Sequence, residues 1–329
     1  MLRIHFINVG DGDAILLEDT AAGFRFLVDC GRPEVRPCGG SDRLTVLEYL
    51  RFLGIDRLDA VLVTHLHTDH AGGLGLLASR IPIDHLYAAY FPDNTTLRAP
   101  QDPGAEKTIR GLIECLNDWA NTIGCLERTE TRLHPVVKQK TTIQWTEDLS
   151  CDLILLNARE AKLQCRTLDA MLEGKVLPTF LRRWASKYRN PGSIRCRVHY
   201  RGREIELSAD CYGGLWDNTA PAPCDIWKVP HHGDKRAITA ALVKQLHPKH
   251  SVISCGNEYL PKKDRPSASA IDLLREQGAV WFTDNFETPL QETHRWKAVR
   301  FDILEDGTIL SPDCLMAAGG RTDDNIRFV

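Results

Sequence analysis

Apolar and polar positions alternate at the start of the chain, where Ile4, Phe6 and Asn8 interleave with His5, Ile7 and Val9, and Gly10-Asp11-Gly12-Asp13 then turns the chain back. A period of two is that of a half-buried strand, and glycines mixed with aspartates are turn chemistry. Between Ser41 and Leu53 the period lengthens: Leu44, Leu47, Leu50 and Leu53 recur at helical spacing, with Ser41 or Asp42 as the candidate cap. The largely apolar run 58–63 predicts a buried strand, and Ala71-Gly72-Gly73-Leu74 begins another helix. A loop rich in Pro, Asn and Thr opens residues 91–135, followed by a helix from about Gly104 to Thr122, and strands return at about 142–157. Residues 159–189 are helical in pattern, with Leu163, Leu168, Met171, Leu172 and Leu181 on one stripe. Trp184 and Tyr188 follow at helical spacing, as core residues or as platforms for bases. Asn190-Pro191-Gly192 ends that segment and leads into a hairpin before Asp210.

The last third repeats a strand–helix rhythm: strands at 226–229, 251–254 and 280–283, helices at 239–246 and 267–277, the latter closed by Gly278. The sum is an α/β (α+β) chain that folds as an αββα sandwich, two mixed β-sheets face to face and flanked by helices. The expected organisation is one domain over residues 1–310, with a helical insertion at about 159–189, and a C-terminal extension over 311–329 whose stretch 319–324 is mobile.

At 329 residues and 43% hydrophobic, the chain can bury a large core. It has no run of about 18 apolar residues, so no membrane association is expected, and Met1-Leu2-Arg3-Ile4 passes straight into a strand, leaving no room for a signal peptide. Eleven cysteines, an odd number without a CxxC pair, point to free thiols and the cytoplasm. Cys151, Cys196 and Cys255 read as small strand hydrophobes; Cys211, beside Asp210, reads as packing or as a group behind a metal. The net charge of −3, from 41 basic and 44 acidic residues, gives no general argument for nucleic acid. Locally, Arg182, Arg183, Lys187, Arg189, Arg195, Arg197, Arg201 and Arg203 form a block without an acidic residue, either a grip for phosphates or a solvated face.

Chemistry concentrates in Thr64-His65-Leu66-His67-Thr68-Asp69-His70, directly after the strand at 58–63. Imidazole and carboxylate are the usual ligands of zinc and related ions, and three of the chain's twelve histidines fall in this one turn. Asp11, Asp13 and Asp29 are candidates to orient ligating imidazoles from behind, since such a ring donates its other N–H to an oxygen. Gly72 and Gly73 let backbone approach a metal closely.

The HxHxDH pattern resembles the signature of the metallo-β-lactamase superfamily. Ile7-Asn8-Val9-Gly10-Asp11-Gly12-Asp13, Leu27-Val28-Asp29-Cys30-Gly31, Leu207-Ser208-Ala209-Asp210 and Lys228-Val229-Pro230-His231-His232-Gly233 narrow the resemblance to the soluble hydrolase domain of ComEC-type DNA-uptake proteins and their free-standing relatives. The resemblance implies a metallo-β-lactamase fold with two divalent ions, Zn or Mn. His65 and His67 would hold the first; Asp69, His70 and either His231 or His232 the second; Asp210 would bridge. Two departures stand out. Asn157 occupies the strand end where relatives often place a further histidine ligand, leaving His134 and His199 as other candidates, and no histidine lies near Asp264-Arg265-Pro266, where relatives carry Gly-His-Pro.

The implied activity is that of a metal-dependent hydrolase, most simply a phosphodiesterase or nuclease cutting DNA or RNA with a metal-activated water. Asp69 and His232 are the catalytic candidates, and Arg182, Arg183, Lys187, Arg189 and Lys235 the candidates for gripping nucleic acid. The alternatives are a hydrolase of a small ester (a phosphocholine ester, a cyclic nucleotide or a lactone) and a regulatory binding module with a decayed site. The resemblance also implies a possible protein partner in a defence or DNA-processing system.

Overall fold

The computed structural model describes residues 1–35, 41–216, 221–256, 265–284 and 296–316; the stretch 319–324 lies outside them. The strands Leu2–Ile7 (β1), Ile15–Asp19 (β2), Phe24–Val28 (β3), Leu58–Val63 (β4), Ile83–Ala88 (β5), Arg132–Pro135 (β6), Trp296–Ile303 (β14) and Asp313–Met316 (β15) form one sheet, in the order β15-β14-β1-β2-β3-β4-β5-β6. Lys140–Gln144 (β7), Leu149–Ile154 (β8), Arg195–Tyr200 (β9), Arg203–Leu207 (β10), Ile226–Lys228 (β11), His250–Ile253 (β12) and Ala279–Phe282 (β13) form the second, in the order β13-β12-β11-β10-β9-β8-β7. Each sheet is mixed, parallel from β3 to β6 and from β10 to β13.

Between the sheets Ile4, Phe6, Phe26, Leu153, Val198, Ile205 and Phe301 form a buried layer. Outside the first sheet a second layer is closed by the helices Val46–Phe52 (α1), Leu74–Ala78 (α3) and Lys107–Leu126 (α4). A third, outside the second sheet, lies beneath Ala240–Leu246 (α7) and Ala268–Arg275 (α8). Helix, sheet, sheet and helix therefore stack as the apolar periodicities predict.

Several boundaries differ from the sequence expectation for identifiable reasons. Helix α1 starts at Val46 because Thr45 and Glu48 form a reciprocal capping box, so neither Ser41 nor Asp42 is the cap. The segment 159–189 is two helices, Ala158–Leu172 (α5) and Thr179–Lys187 (α6), separated by Gly174 with its left-handed backbone. Leu163 is exposed and does not belong to the stripe that buries Leu168, Met171 and Leu172. Among the described residues no helix is long and apolar enough to cross a membrane. The nine cysteines whose side chains are described are all unpaired; Cys211 is buried in the layer beneath α7 and α8, and this burial pushes its thiol up to about 12.

Candidate metal centre

The turn after β4 is held from behind by the turn after β3. Asp29 has a left-handed backbone, φ 61°, which directs its carboxylate at the start of the HxHxDH turn. Asp29 Oδ1 accepts from the Thr64 amide at 2.8 Å, and Oδ2 accepts from Thr64 Oγ1 at 2.8 Å and from His70 Nδ1 at 2.7 Å. With Nδ1 held by Asp29, Nε2 of His70 is directed at Asp210 Oδ1, 3.3 Å away. His67 caps the single-turn helix Thr68–Ala71 (α2), which carries Asp69 and His70. A Cβ on Gly73 would stand 2.1 Å from the Cys30 carbonyl oxygen, and one on Gly72 would stand 2.3 Å from that of Thr68. The glycines thus let two backbone segments touch, rather than admitting a metal as the sequence suggested.

The second sheet supplies the opposite wall. Asp210 follows β10 after Ala209, which is itself left-handed at φ 48°. Past β11, His231 and His232 are both left-handed, at φ 51° and 55°, followed by Gly233 at 75°. Non-glycine residues in that region cost about 1–3 kcal/mol each and persist only where their surroundings fix them. Here the His231 amide donates to Ala209 O at 3.0 Å, and His232 Nδ1 lies 3.0 Å from Ser254 O, a carbonyl that can only accept. His232 Nε2 consequently faces Asp69 Oδ2 at 3.6 Å and Asp210 Oδ1 at 3.8 Å. His231 is placed differently. Its Nε2 lies 3.7 Å from Asp210 Oδ2 and 3.2 Å from Asn190 Nδ2, with the ring edge-on to Tyr212.

Three overlapping sets of potential ligands result: His65 with His67 and Asp210, Asp69 with His70 and His232, and Asp13 with His70 and Asp210. Of the adjacent pair, His232 joins a set and His231 does not. The donor chemistry fits divalent cations. His70 Nε2, His232 Nε2, Asp210 Oδ1 and Asp13 Oδ1 are buried without a hydrogen-bond partner, a costly state that a shared cation relieves. His65 Nε2 and His67 Nδ1 approach to 2.8 Å. Burial, followed by the neighbouring His70, pushes the His65 imidazole well below its ordinary value, and burial with the Arg189 guanidinium pushes His67 to about 3, so both rings are neutral. Burial opposes ionisation of Asp69 and Asp210, yet the His232 and His70 rings beside them hold both carboxyls well below the usual range.

Other sequence candidates lie elsewhere. Asn157 is the N-cap of α5, its side chain accepting from the Glu160 amide at 3.2 Å. His134 pairs with His85 and stacks on Tyr87, and His199 sits between Asp152 and Glu204. Asp11 faces Arg32 at 3.8 Å, and Arg32 in turn reaches Asp69 at 3.8 Å, so Asp11 backs no imidazole directly. Asp13 lies 3.7 Å from both His70 Nδ1 and His232 Nδ1 and pairs with the fully buried ammonium of Lys228. Lys228 was not singled out in the sequence, nor was Asn190; the one signal was a lysine closing the otherwise apolar strand 226–228.

Most of the basic block is engaged within the protein, although only Arg189, Arg195 and Arg197 are buried. Arg195 lies on Glu206 at 3.0 Å and over the Trp216 ring at 3.5 Å, while Arg197 lies on Glu204 at 2.7 Å. Arg201 pairs with Asp148, Arg203 with Asp225, Arg182 with Asp102 and Arg183 with Glu106. Arg189 is buried, donating to Ser186 O at 3.1 Å and to Leu66 O at 3.3 Å, so it braces the HxHxDH turn instead of reaching for phosphate. Lys187 and Lys235 are exposed.

Comparison with known proteins finds partial similarities. The family model described as metallo-beta-lactamase superfamily matches residues 7–119. Ribonuclease Z of Mycolicibacterium paratuberculosis is 30% identical over 96 residues, 29% of this chain and 29% of that protein. An octanoyltransferase of Porphyromonas gingivalis is 48% identical over 59 residues, 18% of this chain and 10% of that protein. The chain thus matches less than a third of the length of either curated relative. Among solved structures, the metallo-beta-lactamase fold protein YhfI from Bacillus subtilis aligns over 85% of this chain and 95% of its own, at 11% identity and a TM-score of 0.48.

Proposed function

Starting from a metallo-β-lactamase fold with two mixed sheets, we propose that this protein is a divalent-metal-dependent phosphodiesterase acting on DNA or RNA in the cytoplasm. The observation that carries the reading is the convergence of buried, unpartnered donor atoms from His70, His232, Asp13 and Asp210 on one space between the sheets. His65, His67 and Asp210 would hold one ion, and Asp69, His70, His232 and Asp210 the other. Zinc or manganese bound there would lower the pKa of water and stabilise negative charge developing on phosphorus oxygens.

The chain's own groups divide the remaining work. Asp29 and the Ser254 carbonyl set the ring orientations of His70 and His232. Asp69, held ionised with Oδ2 beside His232 Nε2, would accept a hydrogen bond from the attacking water and orient it. His231, its Nε2 accepting from Asn190 Nδ2, is held beside Asp210 as a positioning ring. The similarity to a ribonuclease Z and the ComEC-like motif set support nucleic acid as substrate.

A second reading, a small phosphodiester or ester substrate, is favoured by one observation: acidic partners neutralise most of the basic block. Incubation with plasmid, single-stranded DNA, RNA and bis(p-nitrophenyl) phosphate, each with Mn²⁺, Zn²⁺ or chelator, separates the two. Metal-dependent cleavage of polymer is expected. Cleavage of the small ester alone removes nucleic acid as substrate, and turnover that survives in a His67→Ala, Asp69→Ala double variant removes the metal centre as the catalyst.

A further inference from the structure

A groove of 680 Å³ runs between α6 and the turn that follows Asp210. Phe180, Arg183, Trp184 and Lys187 line one wall at helical spacings of three, four and seven, and Leu215 lines the other. Phe180 is 71% exposed and Leu215 49% exposed, an unusual state for large apolar side chains facing one another across an open channel. The Trp184 ring is stacked on Tyr188, centroids 5.1 Å apart and planes 21° from parallel, and Tyr188 Oη donates to Asn157 O at 3.2 Å. The aromatic floor is therefore fixed before any ligand arrives. Arg183 is engaged by Glu106, whereas the exposed Lys187 makes no hydrogen bond or ion pair among the described residues.

The groove opens beside the candidate metal centre. Tyr188 lies two residues before Asn190, whose amide is 3.2 Å from His231 Nε2. Leu215 lies three residues after Tyr212, whose ring meets His231 at 5.4 Å. The groove's apolar surface carries Lys187 at one rim, where its charge also acts on Glu106, and the carboxylate of Glu160 elsewhere on its lining, so it complements a planar apolar ligand whose anion lies on the Lys187 side.

We propose that this groove seats a nucleobase of single-stranded nucleic acid, stacked on Phe180 and Trp184, with the adjoining phosphate held by Lys187 and the strand leading past Asn190 to the metal centre. A single strand is required because a base within a duplex has both faces covered by its neighbours. The inference deepens the phosphodiesterase reading, and only its catalytic consequence rests on that reading.

The test uses the full chain in chelator, so that nothing is cut, with fluorescein-labelled single-stranded DNA and RNA of one sequence followed by anisotropy. Phe180→Ala and Lys187→Ala are each expected to weaken binding about tenfold, since stacking on one aromatic is worth roughly ten- to a hundredfold per base. Both side chains are exposed, and circular dichroism confirms the fold. Unchanged affinity in both variants overturns the proposal, as does a wild-type preference for the corresponding duplex. Weaker binding to DNA only, or to RNA only, supports it and names the polymer. Hydrolysis of bis(p-nitrophenyl) phosphate and of the same oligonucleotides by the wild type, measured in parallel with Mn²⁺, separates the two readings. If the ester is cut but the variants bind oligonucleotide normally, the groove proposal alone falls. If the ester and the oligonucleotides all survive while the variants lose binding, the phosphodiesterase reading falls and the groove stands.

Discussion

Asp29 Oδ2 and His70 Nδ1 are 2.7 Å apart, and this bond joins the turns that follow the neighbouring parallel strands β3 and β4. The same carboxylate caps the Thr64 amide, so the entry of the ligand turn and the ring of its last histidine share one anchor. Asn suits the left-handed φ of Asp29 and keeps an oxygen for Thr64. Its NH₂ would face His70 Nδ1, however, and force the proton onto Nε2, the atom that faces Asp210. Asp29→Asn should therefore lower metal affinity by about 10–100-fold while leaving the circular dichroism spectrum intact. Competition with a chromophoric chelator reads this directly, and wild-type affinity in the variant would show that Asp29 does not set the tautomer.

Lys228 and Asp13 form an ion pair with no solvent exposure, Lys228 also donating to Ala209 O at 3.2 Å. The ammonium thus ties the first hairpin turn to the strained residue before Asp210. Lys228→Met leaves the buried Asp13 carboxyl without its counter-ion and should destabilise the protein by about 3–5 kcal/mol. Adding Asp13→Asn should restore a large part of that loss, because the uncompensated charge is gone. Urea denaturation of the single and double variants measures the coupling; additive losses would exclude it.

The layer order was legible because periodicities of two and 3.6 survive in β1, α1 and α4, and the gathering of imidazoles and carboxylates around the turn after β4 was legible because three histidines fall within six positions there. What could not be read were groups whose role depends on a distant partner. Lys228 looks like any strand-end lysine until Asp13, 215 residues away in sequence, is placed against it. Arg195 and Arg197 read equally as a phosphate grip or a solvated face because Glu204 and Glu206, their partners across the β9–β10 hairpin, lie just past the end of the basic block. Asn157 looked like a lost ligand because a helix cap and a strand end are adjacent at that position. The choice between His231 and His232 required backbone angles that no pattern encodes.

Gly73 offers a local test of how tightly the ligand turn is packed. An added methyl would meet the Cys30 carbonyl oxygen, which belongs to the backbone and cannot swing aside. Gly73→Ala should cost about 1–3 kcal/mol by overpacking and weaken metal binding with it. Gly111→Ala, where a Cβ would meet nothing within 4 Å, is the matched control and should be neutral or mildly stabilising. Equal melting temperatures for the two variants would refute the close contact.

The pH dependence of the metal-free protein follows from opposed histidine shifts. Burial lowers His5, which is wedged between Tyr49 and Glu18, and burial also lowers His231 to about 4 and His67 to about 3. The unfolded chain protonates these rings near 6.5 while the native state refuses the protons, so stability falls as pH drops below about 6.5. Burial works against protonation of His232 as well, but Asp69 and Asp210 beside it raise it to about 8, and Asp210 and Asp29 raise His70 well above its ordinary value. Those two contribute stability that is complete below about 6.5 and is lost as pH rises through their native values. Stability of the chelated protein should therefore peak near pH 6.5 and decline on both sides. Saturation with Zn²⁺ or Mn²⁺ should abolish the alkaline decline, because His70 and His232 then act as neutral ligands and binding strengthens as protons leave. Urea midpoints from pH 5 to pH 9, with and without metal, decide the point: an alkaline limb unchanged by metal would show that these two rings do not take part in binding it.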